Sequence, residues 1–344
     1  MSFQHLLGTA LPIIQAPMAG AQGSALAIAV SGAGGLGSLP CAMLSPDAMR
    51  KELAAIKATG KPFNVNFFCH TPPQPDAGAE ARWRQALSPY YREFGIDPST
   101  IPAGPGRNPF SEEAAAILEE FRPPVVSFHF GLPGEALLQR VKAMGARVLS
   151  TATTVEEALW LEERGVDAII AQGVEAGGHR GMFLTDDITT QMGTFALVRQ
   201  VVQAVRVPVI AAGGIADSTG VAAAIRLGAV AVQVGTAYLL CPESSISAIH
   251  RAALESTAAR HTALTNIFSG RPARGIVNRV LRELGPMCAD AAPFPLATSA
   301  IAPIRAKAES QGSGDFSPLW SGQNATGCAP IPAAELTMAL ASEL

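Results

Sequence analysis

Eight short apolar runs, each followed by a turn and an Ala-rich amphipathic stretch, most constrain how this chain of 344 residues folds. They lie at 13–17 (IIQAP), 34–39 (GGLGSL), 63–68 (FNVNFF), 125–131 (VVSFHFG), 147–152 (RVLSTA), 168–173 (AIIAQG), 207–214 (VPVIAAGG) and 231–236 (AVQVGT). Their length suits strands, and their continuous apolar character suits strands covered on both faces. Between them the spacing predicts helices near 24–31, 45–58, 111–121, 134–144, 154–164, 193–205 and 217–227. A chain that alternates strand and helix in this way builds a parallel sheet covered by helices, and eight units close it into a barrel. The expected fold is therefore α/β, a TIM (β/α)8 barrel with a smaller lid domain. An open doubly wound sheet is the alternative, but it needs a Gly-rich fingerprint in the first strand-to-helix turn, and QAPMAGAQG is not GxGxxG.

Two segments break the rhythm. Residues 69–110 are rich in Pro and Gly and read as an insertion after the third strand; beyond 240 the chain turns helical and then irregular. The expected organisation places the barrel in 1–68 and 111–240, the lid in 69–110 and 241–320, and a tail, 321–344, that returns to the barrel. Loops that carry function gather at the C-terminal ends of barrel strands, so the lid is expected there.

Composition excludes several function classes. With 48% hydrophobic and 15% charged residues the chain buries a large core, and its net charge of −3 with scattered basic residues gives no field for nucleic acid. Five cysteines, far apart and without a CxxC pair, suggest neither a disulfide framework nor a zinc site and fit a reducing cytoplasm. No apolar run reaches membrane-spanning length, so the expectation is a cytoplasmic protein, monomer or homodimer, without membrane or nucleic-acid partners.

Several strand candidates end in small or polar residues: Gln15, Asn64 and Asn66, His129, Thr151, Gln172, Gly213 with Gly214, and Gln233 with Thr236. At the catalytic face of a barrel this makes a polar floor with exposed backbone. Glycines ending the seventh and eighth strands offer backbone N–H groups to an anion, which reads as a phosphate cradle. Lys51, Lys57, Lys61, Lys142 and Lys307 are poorly placed for Schiff-base chemistry. His129 and His179 have no companion acids at metal-ligand spacing except Glu175, so no metal is expected. What remains is a phosphate-bearing cofactor, with Asn66, Gln172 and Gln233 suited to the edge of a flavin ring.

QAPMAG, GGLGSL, NVNFF, HFG, AQGVEAGGHRG, PVIAAGGI, QVGTAY, RPARGI and LWSGQ, in that order from 13 to about 324, resemble the nitronate monooxygenase family, class I, formerly the 2-nitropropane dioxygenases. The resemblance implies FMN-dependent oxidation of alkyl nitronates, foremost propionate 3-nitronate, by O2 to the carbonyl compound with nitrite or nitrate. It implies an FMN phosphate at Gly213, Gly214, Gly235 and Thr236, the rest of the cofactor near Met18, Asn66, Gln172, Gly177, Gly178 and Gln233, and Val234 as a further cofactor-binding residue. His179 matches the family's active-site histidine and His129 a second pocket histidine.

The residues give further expectations. Glycines before His179 let the chain pass close to a flat ligand and deliver an imidazole over it. His129, between Phe128 and Phe130 on a strand, faces the barrel interior or the pocket rim. Tyr238 either borders the substrate or packs, Glu175 either orients His179 or is solvated, and Arg271 and Arg274 either hold an anion or brace the lid. Tyr90 and Tyr91 either reach the site or pack the lid. Two other readings use the same barrel: an NAD(P)H-dependent flavin reductase of the quinone or enoyl-ACP type, and a phosphate-ligand binder without redox chemistry.

Overall fold

The computed structural model describes residues 2–74, 76–101 and 107–344; position 75 and positions 102–106 of the expected insertion lie outside the described residues. The strands, in chain order, are β1 (Ile13–Gln15), β2 (Gly37–Pro40), β3 (Phe63–Phe68), β4 (Val125–His129), β5 (Arg147–Ala152), β6 (Ala168–Gln172), β7 (Gly178–His179), β8 (Val209–Ala212), β9 (Ala231–Val234), β10 (Thr262–Thr265) and β11 (Ala273–Ile276). Eight of them form one parallel sheet in the order β1-β9-β8-β6-β5-β4-β3-β2. A bridge between Ile14 and Leu36, the residue before β2, brings the two edges together, with Leu36 N–H on Ile13 O at 2.8 Å and Gln15 N–H on Leu36 O at 3.0 Å. The sheet is thus a TIM barrel, and each of the eight expected strands is present.

The side-chain period of two divides the strands into an outer and an inner set. Val65, Phe67, Val126, Phe128, Ile169, Ala171, Val209, Ala211 and Val232 share the main core with the surrounding helices. Inside, Ile14, Val125, Leu149, Ile170 and Ile210 meet Leu6 and Leu7 of the helix Phe3–Leu7, which plugs one end of the barrel. Above this apolar layer the interior is polar: Asn64 Nδ2 donates to Ser38 Oγ at 3.0 Å and Ser127 Oγ at 2.9 Å, and Asn66 Nδ2 to the same Ser127 Oγ at 2.9 Å. Buried amide donors need partners, and these bonds supply them; Asn64 Oδ1 is buried without a hydrogen-bond partner among the described residues.

All seven expected helices form, each within a residue or so of its predicted ends: Ser24–Gly32, Pro46–Lys57, Glu112–Phe121, Glu135–Ala143, Val155–Glu163, Thr194–Ala204 and Ser218–Arg226. The place beside β9 where an eighth helix belongs is taken by the chain's last helix, Ala333–Leu340, whose Ala333, Leu336 and Leu340 enter the main core.

A second apolar core joins the helices Ala77–Ala86 and Ser88–Phe94 of the insertion to Ile267, Phe268 and the helix Ala297–Ser310 of the C-terminal region. Trp83 Nε1 donates to Ala297 O at 3.0 Å and Tyr91 Oη to Ala300 O at 2.7 Å. Tyr90 and Tyr91 therefore pack the lid. A small antiparallel sheet, β10-β11-β7, connects this region to the mouth of the barrel.

Tyr238, read from the sequence as a candidate border of the substrate, is buried in the main core with its hydroxyl 2.8 Å from Thr337 Oγ1 of the last helix. The cause is the short 3-10 helix Thr236–Leu240, which turns residue 238 outward from the barrel mouth. Because that hydrogen bond fastens the last helix, Tyr238→Phe is expected to lower the unfolding free energy by about 1 kcal/mol in urea titration; an unchanged midpoint would contradict it.

Candidate active site

After β6 the chain runs through a glycine-rich segment into β7, which pairs antiparallel with β11: His179 opposite Ala273 and Gly178 opposite Arg274. Gly178 has φ 71°, and a Cβ on Gly177 would come within 2.5 Å of Gly322 N, so only glycine lets the two strands of chain lie this close. The adjacent Arg180 is fully buried. Its guanidinium donates to Gln172 O at 2.6 Å, Gly173 O at 2.7 Å and Gln191 Oε1 at 2.9 Å, and burial lowers its pKa to about 9. It clamps the end of β6 to the segment that carries His179.

The His179 backbone is pinned as well. Its carbonyl accepts from Gln172 Nε2 at 3.1 Å and from His129 Nε2 at 3.2 Å, while Gln172 Oε1 accepts Gly181 N–H at 2.8 Å. A carbonyl only accepts, so His129 carries its proton on Nε2, and Nδ1 accepts from Thr151 Oγ1 at 3.1 Å. Both nitrogens of His129 are thus committed inside the protein. Burial lowers its pKa to about 3, which fits this neutral tautomer.

The His179 ring lies among Phe68, Phe130, Phe294 and Trp320, with ring centroids 6.3, 6.1, 5.5 and 5.6 Å away. Its Nε2 is 2.8 Å from Ser269 Oγ, and Nδ1 has no hydrogen-bond partner among the described residues. Burial, followed by the nearby charges of Arg107 and Arg271, holds its pKa well below the ordinary histidine value. The ring is therefore a neutral imidazole near pH 7. Phe130 reaches it from a backbone with φ 69°, a strained value for a bulky residue and a mark of functional sites.

The glycines expected to form a phosphate cradle lie beside this loop. Gly213 and Gly214, after β8, have φ 113° and 73°, and a Cβ on Gly213 would lie 3.1 Å from Ala176 N. They precede their helix by four residues, and that helix is already capped by Asp217, which accepts Gly220 N–H at 2.7 Å. An anion here is thus offered the glycine turn, and the start of the 3-10 helix at Gly235 and Thr236, rather than a free helix end. Met18 adjoins Gly235, its sulfur 3.7 Å from where a Cβ would be, and Val234 is buried. Gln233 Oε1 is buried with no hydrogen-bond partner among the described residues. An unpaired amide oxygen beside glycine turns is what a polar planar ligand with a phosphate tail would satisfy. Asn66 sits deeper, on Ser127.

A segment of the tail straps these loops together. Gly322 N–H donates to Thr236 Oγ1 at 2.9 Å, Gln323 N–H to Glu175 O at 2.9 Å and Asn324 Nδ2 to Gly214 O at 3.1 Å. Glu175 does not orient His179; its carboxylate accepts Thr194 N–H at 2.8 Å and Thr194 Oγ1 at 2.8 Å, capping the helix Thr194–Ala204. Arg274 braces, with Nε on Val174 O at 2.8 Å. Ser269, Arg180, Phe294 and the strap are contributions that residue-by-residue reading missed, although SGRPARG and LWSGQ stood out as motifs. No group of three or more His, Cys, Asp or Glu that could hold a metal occurs among the described residues, and no described helix is long and apolar enough to cross a membrane.

Comparison with known proteins agrees in sequence and in fold. The family model described as nitronate monooxygenase matches residues 2–343. A nitronate monooxygenase of Paraburkholderia phytofirmans is 45% identical, covering 98% of this chain and 93% of its own length. The crystal structure of a nitroalkane oxidase from Streptomyces ansochromogenes superposes with a TM-score of 0.89 at 39% identity, covering 100% of this chain and 98% of its own. FabK from Thermotoga maritima is more distant, with a TM-score of 0.74 at 28% identity over 100% of this chain and 96% of its own.

The two neutral histidines make stability depend on pH. Folded-state pKa values lie below 6.5, so the unfolded chain binds the extra protons; the stability is present above about pH 6.5 and is lost as pH falls toward the folded value of about 3 for His129. Each contributes a slope of up to about 1.4 kcal/mol per pH unit. Urea unfolding at pH 7, 6 and 5 is expected to show a shallower slope for His129→Gln than for the unsubstituted protein; equal slopes would contradict the assignment.

Proposed function

The chain belongs to the nitronate monooxygenase family, and on that premise we propose that it oxidises alkyl nitronates, foremost propionate 3-nitronate, with O2 to the carbonyl compound and nitrite or nitrate, using FMN. The observation that carries the reading is His179: an imidazole whose Nδ1 has no hydrogen-bond partner among the described residues, walled by four aromatic rings, at the end of a glycine segment that adjoins two further glycine turns.

The residues present fit the cofactor. Gly213, Gly214, Gly235 and Thr236, with buried Val234, are suited to the phosphate; Met18, Gly177, Gly178, Gln172 and Gln233 surround the space beside it, and the orphaned Gln233 Oε1 supports the fit. Asn66 completes the floor. When bound, FMN supplies the redox centre between nitronate and O2.

The protein's part is to bind and orient the nitronate and to manage its proton. A neutral His179 accepts a proton from the carbon of a nitroalkane; once protonated beside the bound anion, it stabilises the nitronate charge. The aromatic walls exclude water and strengthen that interaction. His129 and Gln172 act through the His179 carbonyl, so they are positioning residues. His129, expected as a second pocket histidine that binds substrate, has both ring nitrogens engaged by Thr151 and the His179 carbonyl.

Replacing His179 by Asn keeps a polar group but removes the titrating ring. With flavin content unchanged, His179→Asn is expected to lower kcat/KM for propionate 3-nitronate by roughly 100-fold or more; undiminished turnover would overturn the assignment. The flavin reductase reading is tested on the same preparation, because it requires NADH to bleach the flavin anaerobically and the nitronate reading does not.

A further inference from the structure

Two guanidiniums stand near His179, and neither forms an ion pair among the described residues. Arg107 lies 5.5 Å from the centroid of Phe294, and Arg271 lies 4.2 Å from that of Phe130. The two rings are 5.6 Å apart and both flank His179. Each guanidinium has a buried nitrogen, Arg107 Nη1 and Arg271 Nε, with no hydrogen-bond partner among the described residues. Arg271 does donate to the Met182 carbonyl, and Asp186 and Glu157 are near enough to favour its charge. Among the described residues no acid favours the charge of Arg107, and burial lowers its pKa.

Unpaired buried guanidinium N–H groups are costly, and proteins keep them where an anion will complete them. The fork geometry of arginine suits a carboxylate, which it binds with two parallel bonds. The end of the loop that carries Arg107 is held in place: His70 Nε2 donates to the Arg107 carbonyl at 2.9 Å, and the His70 ring packs edge-on against Phe294 at 4.8 Å. His70 is thereby a positioning residue for Arg107.

We propose that Arg107 and Arg271 form a carboxylate-recognition subsite next to His179, which selects nitronates that carry a carboxylate at the far end of a short chain over simple alkyl nitronates. The proposal rests on the nitronate reading and deepens it. His179 takes the nitronate end, and the arginines take the acid end across the Phe130 and Phe294 rings.

The test compares the FMN-loaded enzyme with its Arg107→Met and Arg107→Lys variants at equal flavin content and equal thermal midpoint. The readouts are the ratio of kcat/KM for propionate 3-nitronate to that for propyl-1-nitronate, and the Kd of succinate, a non-reactive dicarboxylate of matching length, from flavin absorbance. Arg107→Met is expected to lower the ratio and weaken succinate roughly 10- to 100-fold, with part of both restored in Arg107→Lys. A ratio and a succinate Kd that do not move would overturn the subsite. If the unsubstituted enzyme oxidises neither nitronate, the nitronate reading fails by itself, and succinate binding that depends on Arg107 still upholds the carboxylate subsite.

Discussion

The buried guanidinium of Arg180 is the constraint on which the site depends. A cation without water must have its donors satisfied, and here neutral acceptors do so: the carbonyls of Gln172 and Gly173 and the amide oxygen of Gln191. Those carbonyls end β6, so the charge fixes where the barrel wall stops and where the glycine segment begins. His179 is the residue just before, and its own carbonyl is held by Gln172 and His129. The His179 imidazole therefore inherits the rigidity of the barrel although it sits on a two-residue strand outside it. Lysine at position 180 would retain the charge but lose the fork that reaches separate acceptors.

Electrostatics and apolar packing act together around His179. The aromatic rings of Phe68, Phe130, Phe294 and Trp320 remove water, and the nearby arginines lie close enough to disfavour a second positive charge. Both effects keep the free imidazole neutral. A negative charge placed beside the ring would reverse the balance, because it would offset that positive field.

The lid and the barrel are not independent. β7 belongs by sequence to the loop after β6, yet it pairs with β11 from the C-terminal region. The strap at 322–324 ties the turns after β6, β8 and β9 to each other. The chain then continues to the helix Ala333–Leu340, which fills the eighth helical position and receives the Tyr238 hydroxyl through Thr337. A long excursion between β9 and its helix is what allows the C-terminal region to cover the mouth of the barrel and still complete its wall.

Local pattern determined the barrel. Each of the eight barrel strands is short and mostly apolar because both of its faces are covered, and each intervening helix carries one apolar stripe, so both periods are written in neighbouring residues. The ordered motifs also pointed to the family and to His179. Partners distant in sequence were decided only by the tertiary structure. Tyr238 and Thr337 are 99 residues apart, Tyr91 and Ala300 are 209 apart, and His179 meets Ser269 across 90. A short window of sequence holds the identity of such a residue but not the geometry that chooses its partner. Hence Tyr238 and Glu175, each one turn or loop away from the mouth, went to packing and capping, while Arg180, Ser269 and Phe294 became parts of the site only when the chain closed around them.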